Sequence, residues 1–353
     1  MKVAVINDLH LGVRGDSHIF LDKQKLFYEE VFFPTIKSED IKVLLVPGDV
    51  FDRRKYVNFV TYKKAQTMLF DELHELGVDV HISVGNHDCS YKNTNIINSV
   101  DLLLDKYDNI TVYDNAPVEL DLDGCKVMMS PWISPSNYRS SMEAFKNTKA
   151  QILMGHFEIE GFEMQKGRLC DHGLNKNVFE KFDAVYSGHF HHPSSHSGIT
   201  YLGAPYEMNW TDFEGRRGFH IFDTETREME FVANPFRMFH KLVYDDYNMT
   251  IDDVAALDTS LLSDTYIKVI VNNKTNPQIF DLFIERLQQA GAADVQIVED
   301  VAILDVGGAD ALIDEAQDTP TILKQYMSGV EIKHDRERAE LLLLDLYQEA
   351  LAI

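Results

Sequence analysis

Five short apolar segments of this chain each run directly into metal-capable side chains, and that repetition limits the possible folds more than any other feature. Residues 2–7 lead into Asp8-Leu9-His10, and residues 42–46 into Gly48-Asp49-Val50-Phe51-Asp52. Residues 78–84 lead into Gly85-Asn86-His87-Asp88, 150–154 into Gly155-His156, and 184–187 into Gly188-His189-Phe190-His191. Each run has the length of a strand and reads as one buried on both faces. Helical stretches over 23–31 and 62–76, the latter stopped by Gly77, alternate with them. The spacing therefore predicts an α/β core, followed after residue 196 by short strands over 199–202, 218–223 and 228–232 that fit an antiparallel meander. Open α/β sheets gather their sites at the carboxyl ends of strands, so five dispersed segments are expected to meet in one pocket.

The donor types narrow the chemistry. Aspartate and histidine offer oxygen and imidazole nitrogen, with no thiolate among them, a mix that suits Mn²⁺, Fe²⁺ or Zn²⁺ in higher coordination. Asp8-x-His10 and His189-x-His191, each just past a strand, can aim both side chains of the pair into one pocket while the backbone is still extended. Glycines ahead of Asp49, Asn86, His156 and His189 allow sharp turns and close backbone approach. A carboxylate shared by two cations about 3.5–4 Å apart is the usual device of two-metal hydrolysis. Asp49 is the best candidate for that bridge. Taken singly, each motif reads as an ordinary turn carboxylate or hydrogen-bonded histidine; five in order do not.

In that order, Asp8-x-His10, Gly48-Asp49-x-x-Asp52, Gly85-Asn86-His87-Asp88, Gly155-His156 and Gly188-His189-x-His191 resemble the motif set of the calcineurin-like metallophosphoesterases. The resemblance implies a four-layer α/β/β/α sandwich. It implies one metal held by Asp8, His10, Asp49 and His191, and a second held by Asp49, Asn86, His156 and His189. It places His87 outside the ligand set, touching the phosphate and protonating the departing oxygen, with Asp88 orienting His87. Stretches such as "NDLHLGVRGD", "GDVFDRRKY", "VGNHD", "GHFEIEGF", "YLGAPYEMNW" and "RRGFHIFDTET" look like the SbcD-type nuclease subunits of double-strand-break repair and recombination complexes, in the version found in T-even-type phages. Asp52 departs from the cellular members, many of which carry histidine there.

The resemblance implies a DNA nuclease with two divalent ions, Mn²⁺ foremost, acting as an exonuclease on duplex ends and an endonuclease on single strands. It also implies a homodimer and an SbcC-type, SMC-like coiled-coil ATPase partner. Two other readings stand beside it: a phosphomonoesterase or cyclic-nucleotide phosphodiesterase of the same superfamily, and a scaffold that mainly tethers DNA.

Charge bears on the substrate. The chain has 33 basic and 57 acidic residues, a net charge of −24, which excludes nucleic-acid binding through global positive charge. Local patches remain available. Arg53-Arg54-Lys55 directly follows the second motif and Arg14 the first, so these four are the candidate DNA contacts. His172 and His192 are further candidates to line the pocket, whereas Trp132 reads as a core residue.

Acidity also hints at a boundary, with 22 acidic against 7 basic residues over 245–353 and 35 against 26 before it. A strand over 265–271, a helix over 277–290 and a strand over 294–299 make a small α+β module. The expected organisation is a nuclease domain over 1–235, a capping, DNA-binding domain over 236–305, and a helical tail over 306–353 that binds the ATPase. The tail's Leu341-Leu342-Leu343-Leu344 run, with Leu346, Tyr347 and Leu351, covers more than one helical face. Cys89, Cys125 and Cys170, with no Cys-x-x-Cys spacing, point to a reducing compartment and away from a thiolate zinc site. No signal-peptide core or membrane span is evident, so the expected location is cytoplasmic, in the host bacterium if the chain is phage-encoded.

Overall fold

Alternation along the strands builds four layers. In the computed structural model, which describes residues 1–165 and 167–299, the first sheet has the order Met229–Ala233, Gly218–Asp223, Lys2–Val5, Val43–Pro47, Asp79–Ser83, Ile110–Tyr113. The last four strands run parallel; Gly218–Asp223 pairs antiparallel with Lys2–Val5 and with Met229–Ala233. The second sheet has the order Ser194–His196, Ile199–Tyr201, Ala184–Gly188, Ile152–His156, Cys125–Ser130, Val118–Leu122. Successive strand residues face opposite ways, which decides what each sheet covers. Val3, Val5 and Leu45 of the first sheet meet Val127, Met129, Ile152 and Met154 of the second. Their neighbours Ala4, Leu44 and Val46 turn outward onto Phe20, Phe27, Leu69 and Phe70 of the covering helices. On the far side, Met128, Leu153 and Val185 pack against Phe145 and Phe179.

The helices over the first sheet are longer than their sequence pattern suggests. His18–Phe27 continues through a wide π-type turn, Tyr28–Phe32, into Phe33–Ser38. Phe59–Ala65 likewise continues through Gln66–Phe70 into Asp71–Glu75. Asn58 caps the second helix by accepting from the Val60 N–H. Gly77, at φ 63°, lets the chain turn away at its end.

The antiparallel meander expected after residue 196 does not form. Ile199–Tyr201 joins the second sheet, parallel to Ala184–Gly188, whereas Gly218–Asp223 and Met229–Ala233 close the first. The turn-rich texture of this stretch carries the chain from one sheet to the other.

Three parallel strands, Phe239–Asp245, Tyr266–Asn273 and Asp294–Val298, make a third sheet. The helix Pro277–Gln289 is capped by Asn276, has proline in its first turn, and packs Ile279, Phe280, Phe283 and Leu287 onto that sheet's core. Phe239–Asp245 is not evident in the sequence, because His240, Lys241 and Asp245 interrupt its apolar residues. The buried Glu207 carboxylate joins this unit to the sandwich, accepting from the Met238 and Phe239 N–H groups at 2.8 and 3.0 Å. The expected tail over 306–353 lies outside the described residues. Among the described residues, no helix is long and apolar enough to cross a membrane.

Candidate metal centre

All five motif-bearing turns meet at one place, but from two sheets. The turns after Lys2–Val5, Val43–Pro47 and Asp79–Ser83 come from the first, and those at the ends of Ile152–His156 and Ala184–Gly188 from the second. Backbone bonds register them: Asp8 N–H donates to Gly48 O and His10 N–H to Asp49 O, both at 3.1 Å. The ligand-type residues themselves adopt the left-handed turn. Asp8, His10, Asp49 and His189 have φ of 53°, 39°, 57° and 91°, a region that L-residues other than glycine rarely occupy. Strain of this kind persists only where the surroundings enforce it, and it concentrates at functional sites. Gly85 contributes by approach: a Cβ there would lie 2.1 Å from Asp49 Oδ1.

The donors form two overlapping clusters. Asp8, His10 and His191 bring ligand atoms within 4.8 Å of one another, and so do Asp49, His156 and His189. Asp49 stands between them, with Oδ2 3.6 Å from His10 Nε2 and 3.1 Å from His156 Nε2. Asn86 Oδ1 lies 2.9 Å from His156 Nε2 and 3.1 Å from His189 Nδ1. His10 Nε2 and His191 Nε2 face each other at 3.1 Å. Two basic nitrogens so placed need a shared proton or a cation between them. The residues therefore fit divalent metal ions, in a pair of oxygen- and imidazole-lined positions.

Electrostatics in the metal-free site point the same way. Burial would push His10 down, but the hydrogen bond to Asp52 and the charges of Asp49, Asp52 and Asp8 outweigh it and hold the imidazole up at about 10. His156 is also disfavoured as a cation by burial, yet Asp49 and Asp8 hold it at about 9. Asp49 is held well below the carboxylate range by His156, His87 and His10, against its burial. Burial, His10 and Arg217 drive His191 well below its ordinary value. Protons on imidazole thus stand where cations would neutralise the carboxylates.

The expected pairing of Asp88 with His87 does not form. Asp88 accepts from four backbone N–H groups, those of Gly85, Asp49, Val50 and Phe51, at 2.9–3.1 Å. It ties the second and third turns together and leaves no oxygen for an imidazole. His87 is instead set by the Asp52 carbonyl, 2.6 Å from Nδ1, which leaves Nε2 as its free nitrogen. His87 also lies within 4.8 Å of His10 and Asp49.

Asp52 has a role that its sequence position does not reveal. Its Oδ1 is 3.2 Å from His10 Nδ1, so the tautomer with Nε2 bare toward the cluster is favoured. Asn7 Nδ2 similarly donates to Asp8 Oδ2 at 2.5 Å. Trp132 is not a core residue: it is half-buried, with its ring 5.3 Å from His189 and 6.0 Å from His156. His172 is exposed beside Glu158, and the half-buried His192 faces Asp212 at 3.9 Å.

The four basic candidates differ. Arg14 is exposed and donates through Nε to Met208 O at 2.9 Å. Arg53 lies 3.5 Å from Asp16 and stacks over Tyr56. Lys55 is exposed. Arg54 is half-buried, and its Nε and Nη1 are shielded from solvent without a hydrogen-bond partner among the described residues.

Comparison with known proteins bears on this geometry. The model of the calcineurin-like phosphoesterase family matches residues 1–193. Exonuclease subunit 1 of Enterobacteria phage T4 is 32% identical over 361 residues, covering 99% of this chain and 99% of that protein. A subunit of the nuclease SbcCD from Staphylococcus saprophyticus is 22% identical over 275 residues, 69% of this chain and 70% of that one. Among solved structures, an archaeal phosphodiesterase covers 66% of this chain and 100% of its own at 15% identity, with a TM-score of 0.33, too low to bear on the fold.

Proposed function

The chain belongs to the calcineurin-like phosphoesterase family, and from that premise we propose that it is a metal-dependent DNA nuclease, the nuclease subunit of a phage recombination and repair complex. The observation that carries this reading is Asp49, one carboxylate within reach of both donor clusters. In the proposed arrangement Asp8, His10, Asp49 and His191 hold one divalent ion and Asp49, Asn86, His156 and His189 the other. The oxygen and imidazole donors suit Mn²⁺. When bound, the pair of cations supplies positive charge to a phosphodiester and makes water a stronger nucleophile.

The chain's own groups do the rest. His87, fixed through Nδ1 by the Asp52 carbonyl, faces the departing oxygen with Nε2 and, as the imidazolium, gives it the Nε2 proton and is left neutral. Asp52 keeps His10 turned toward its cluster. Asp88 is a positioning residue that holds the Asp49 backbone rather than the imidazole. Arg54, with two buried and unpartnered nitrogens, takes a DNA phosphate; Arg14, Arg53 and Lys55 extend the rim. Cations and these few side chains let an acidic protein hold a polyanion.

Both relatives are named as subunits. The reading therefore includes an SbcC-type ATPase, engaged through residues 306–353, with a nuclease domain over 1–235 and a capping domain over 236–305. It also includes a homodimer. Phe59, which is 90% exposed, and Val60, Ile96, Ile97 and Leu102 are exposed apolar side chains, and the Tyr62 hydroxyl, donating to Leu103 O at 2.7 Å, links the two segments that carry them. The location that goes with this is the bacterial host's cytoplasm.

The test is a Mn²⁺-supported assay of the purified chain, with and without the ATPase, on linear duplex DNA, circular single-stranded DNA and a generic phosphomonoester. Shortening of the duplex and nicking of the single strand support the reading. Hydrolysis of the phosphomonoester with intact DNA would favour the phosphomonoesterase alternative, and DNA binding without cleavage the scaffold.

A further inference from the structure

The segment that leaves the strand Ile152–His156 carries a second set of ligand-type side chains, which the centre described above does not use. A carboxylate oxygen of Glu158, the Sγ of Cys170 and a ring nitrogen of His172 lie within 4.8 Å of one another. His172 Nε2 is 3.2 Å from Glu158 Oε1, and the same oxygen lies 3.7 Å from His189 Nε2. Cys170 is buried, its Sγ 3.2 Å from His172 O.

Backbone bonds hold the three donors together. Cys170 N–H donates to Phe162 O at 2.7 Å, Gly161 N–H to Cys170 O at 2.8 Å, and Leu174 N–H to Glu158 O at 2.8 Å. Gly173, at φ 92°, lies so close that a Cβ there would sit 2.5 Å from Glu158 O. The frame thus brings positions 170 and 172 back against 158.

One thiolate, one imidazole and one carboxylate make a donor set for Zn²⁺, with three protein ligands and a fourth position open to water. His172, whose side chain is 57% exposed, leaves that position on the solvent side. A hard ion such as Mn²⁺ prefers the sulfur-free donors of the neighbouring centre. We propose that Glu158, Cys170 and His172 form a third cation site, selective for Zn²⁺, which staples the segment between Phe157 and Leu174 beside His189. Its cysteine and histidine are spaced Cys-x-His, outside the Cys-x-x-Cys pattern by which thiolate sites are usually read from sequence.

Sulfur makes the site separately observable, whatever the nuclease reading proves to be. The metal-stripped full chain is titrated with Co²⁺, and thiolate-to-Co²⁺ charge-transfer absorption is followed in the near ultraviolet. The Asp/His centre contains no sulfur, so only a cysteine-bound ion gives this band. The expected result is a saturable band whose final intensity corresponds to one thiolate-bound Co²⁺ per chain, which is bleached by Zn²⁺, disappears in Cys170→Ser and persists in Cys89→Ser and Cys125→Ser. His172→Ala, at an exposed position, should fold normally and weaken the affinity read from the band by more than the roughly 10–100-fold that losing an outer partner costs. This variant decides the matter if Cys170→Ser does not fold. No band at saturating Co²⁺, a band that survives in Cys170→Ser, or one unaffected by His172→Ala would overturn the proposal.

Discussion

His87 has one nitrogen committed and one free, and that asymmetry defines its proposed work. With Nδ1 on the Asp52 carbonyl, Nε2 is left for a proton transfer of the kind worth roughly 10²–10⁴-fold in rate. His87→Ala is therefore expected to lower turnover by about that factor while its metal content, measured by elemental analysis, stays unchanged; an equal loss of metal would make His87 a ligand. His10 and His156, raised to about 10 and about 9 in the metal-free site by neighbouring carboxylates, are protonated at pH 7. Cations must displace those protons, so Mn²⁺ binding should release protons and tighten as pH rises toward about 9–10. Calorimetry in buffers of different ionisation enthalpy measures the release, and pH-independent binding would contradict it. The ligand-type residues are legible in sequence because each follows an apolar run. The roles of Asp52 and Asp88 are not: adjacency suggests His87 as the partner of Asp88, and nothing in the sequence suggests one for Asp52. Asp88 turns onto backbone N–H groups, and Asp52 reaches back to the first motif.

The five strands can be read from sequence by their short runs of apolar residues, which in Asp79–Ser83 alternate with Asp79, His81 and Ser83, but burial alone does not say which sheet a strand joins. Three belong to one sheet and two to the other, and the common core of Val3, Val5 and Leu45 with Val127, Met129, Ile152 and Met154 relates them. Strand Phe239–Asp245 is hidden in the sequence for the opposite reason: His240, Lys241 and Asp245 interrupt its apolar residues. Sequence suggests that the turns depend on glycines ahead of the ligands, yet Asp8, His10, Asp49 and His189 themselves take positive φ. The glycines act too: Gly48 takes φ 90°, and Gly48, Gly85, Gly155 and Gly188 all sit too close to neighbours for a Cβ. Gly85→Ala would place a Cβ 2.1 Å from Asp49 Oδ1, so the variant should lose Mn²⁺ from both positions, as read by elemental analysis. Intact binding would show that the turn relaxes. In the third sheet, Phe283 is buried between helix and strands. Phe283→Ala should cost about 3–5 kcal/mol in denaturant unfolding of that unit, with cleavage by the sandwich retained.

Across the molecule, an acidic chain brings two sheets together so that their turns enclose a cluster of carboxylates and imidazoles, and the family's chemistry requires cations there. Everything in the proposed mechanism depends on Asp49 serving two of them. Mn²⁺ stoichiometry of the purified chain, compared with Asp49→Asn and His191→Ala, tests that directly. The account expects two ions in the parent protein, one in His191→Ala, and loss or marked weakening of both in Asp49→Asn. A single-site loss of equal size in the two variants would contradict it.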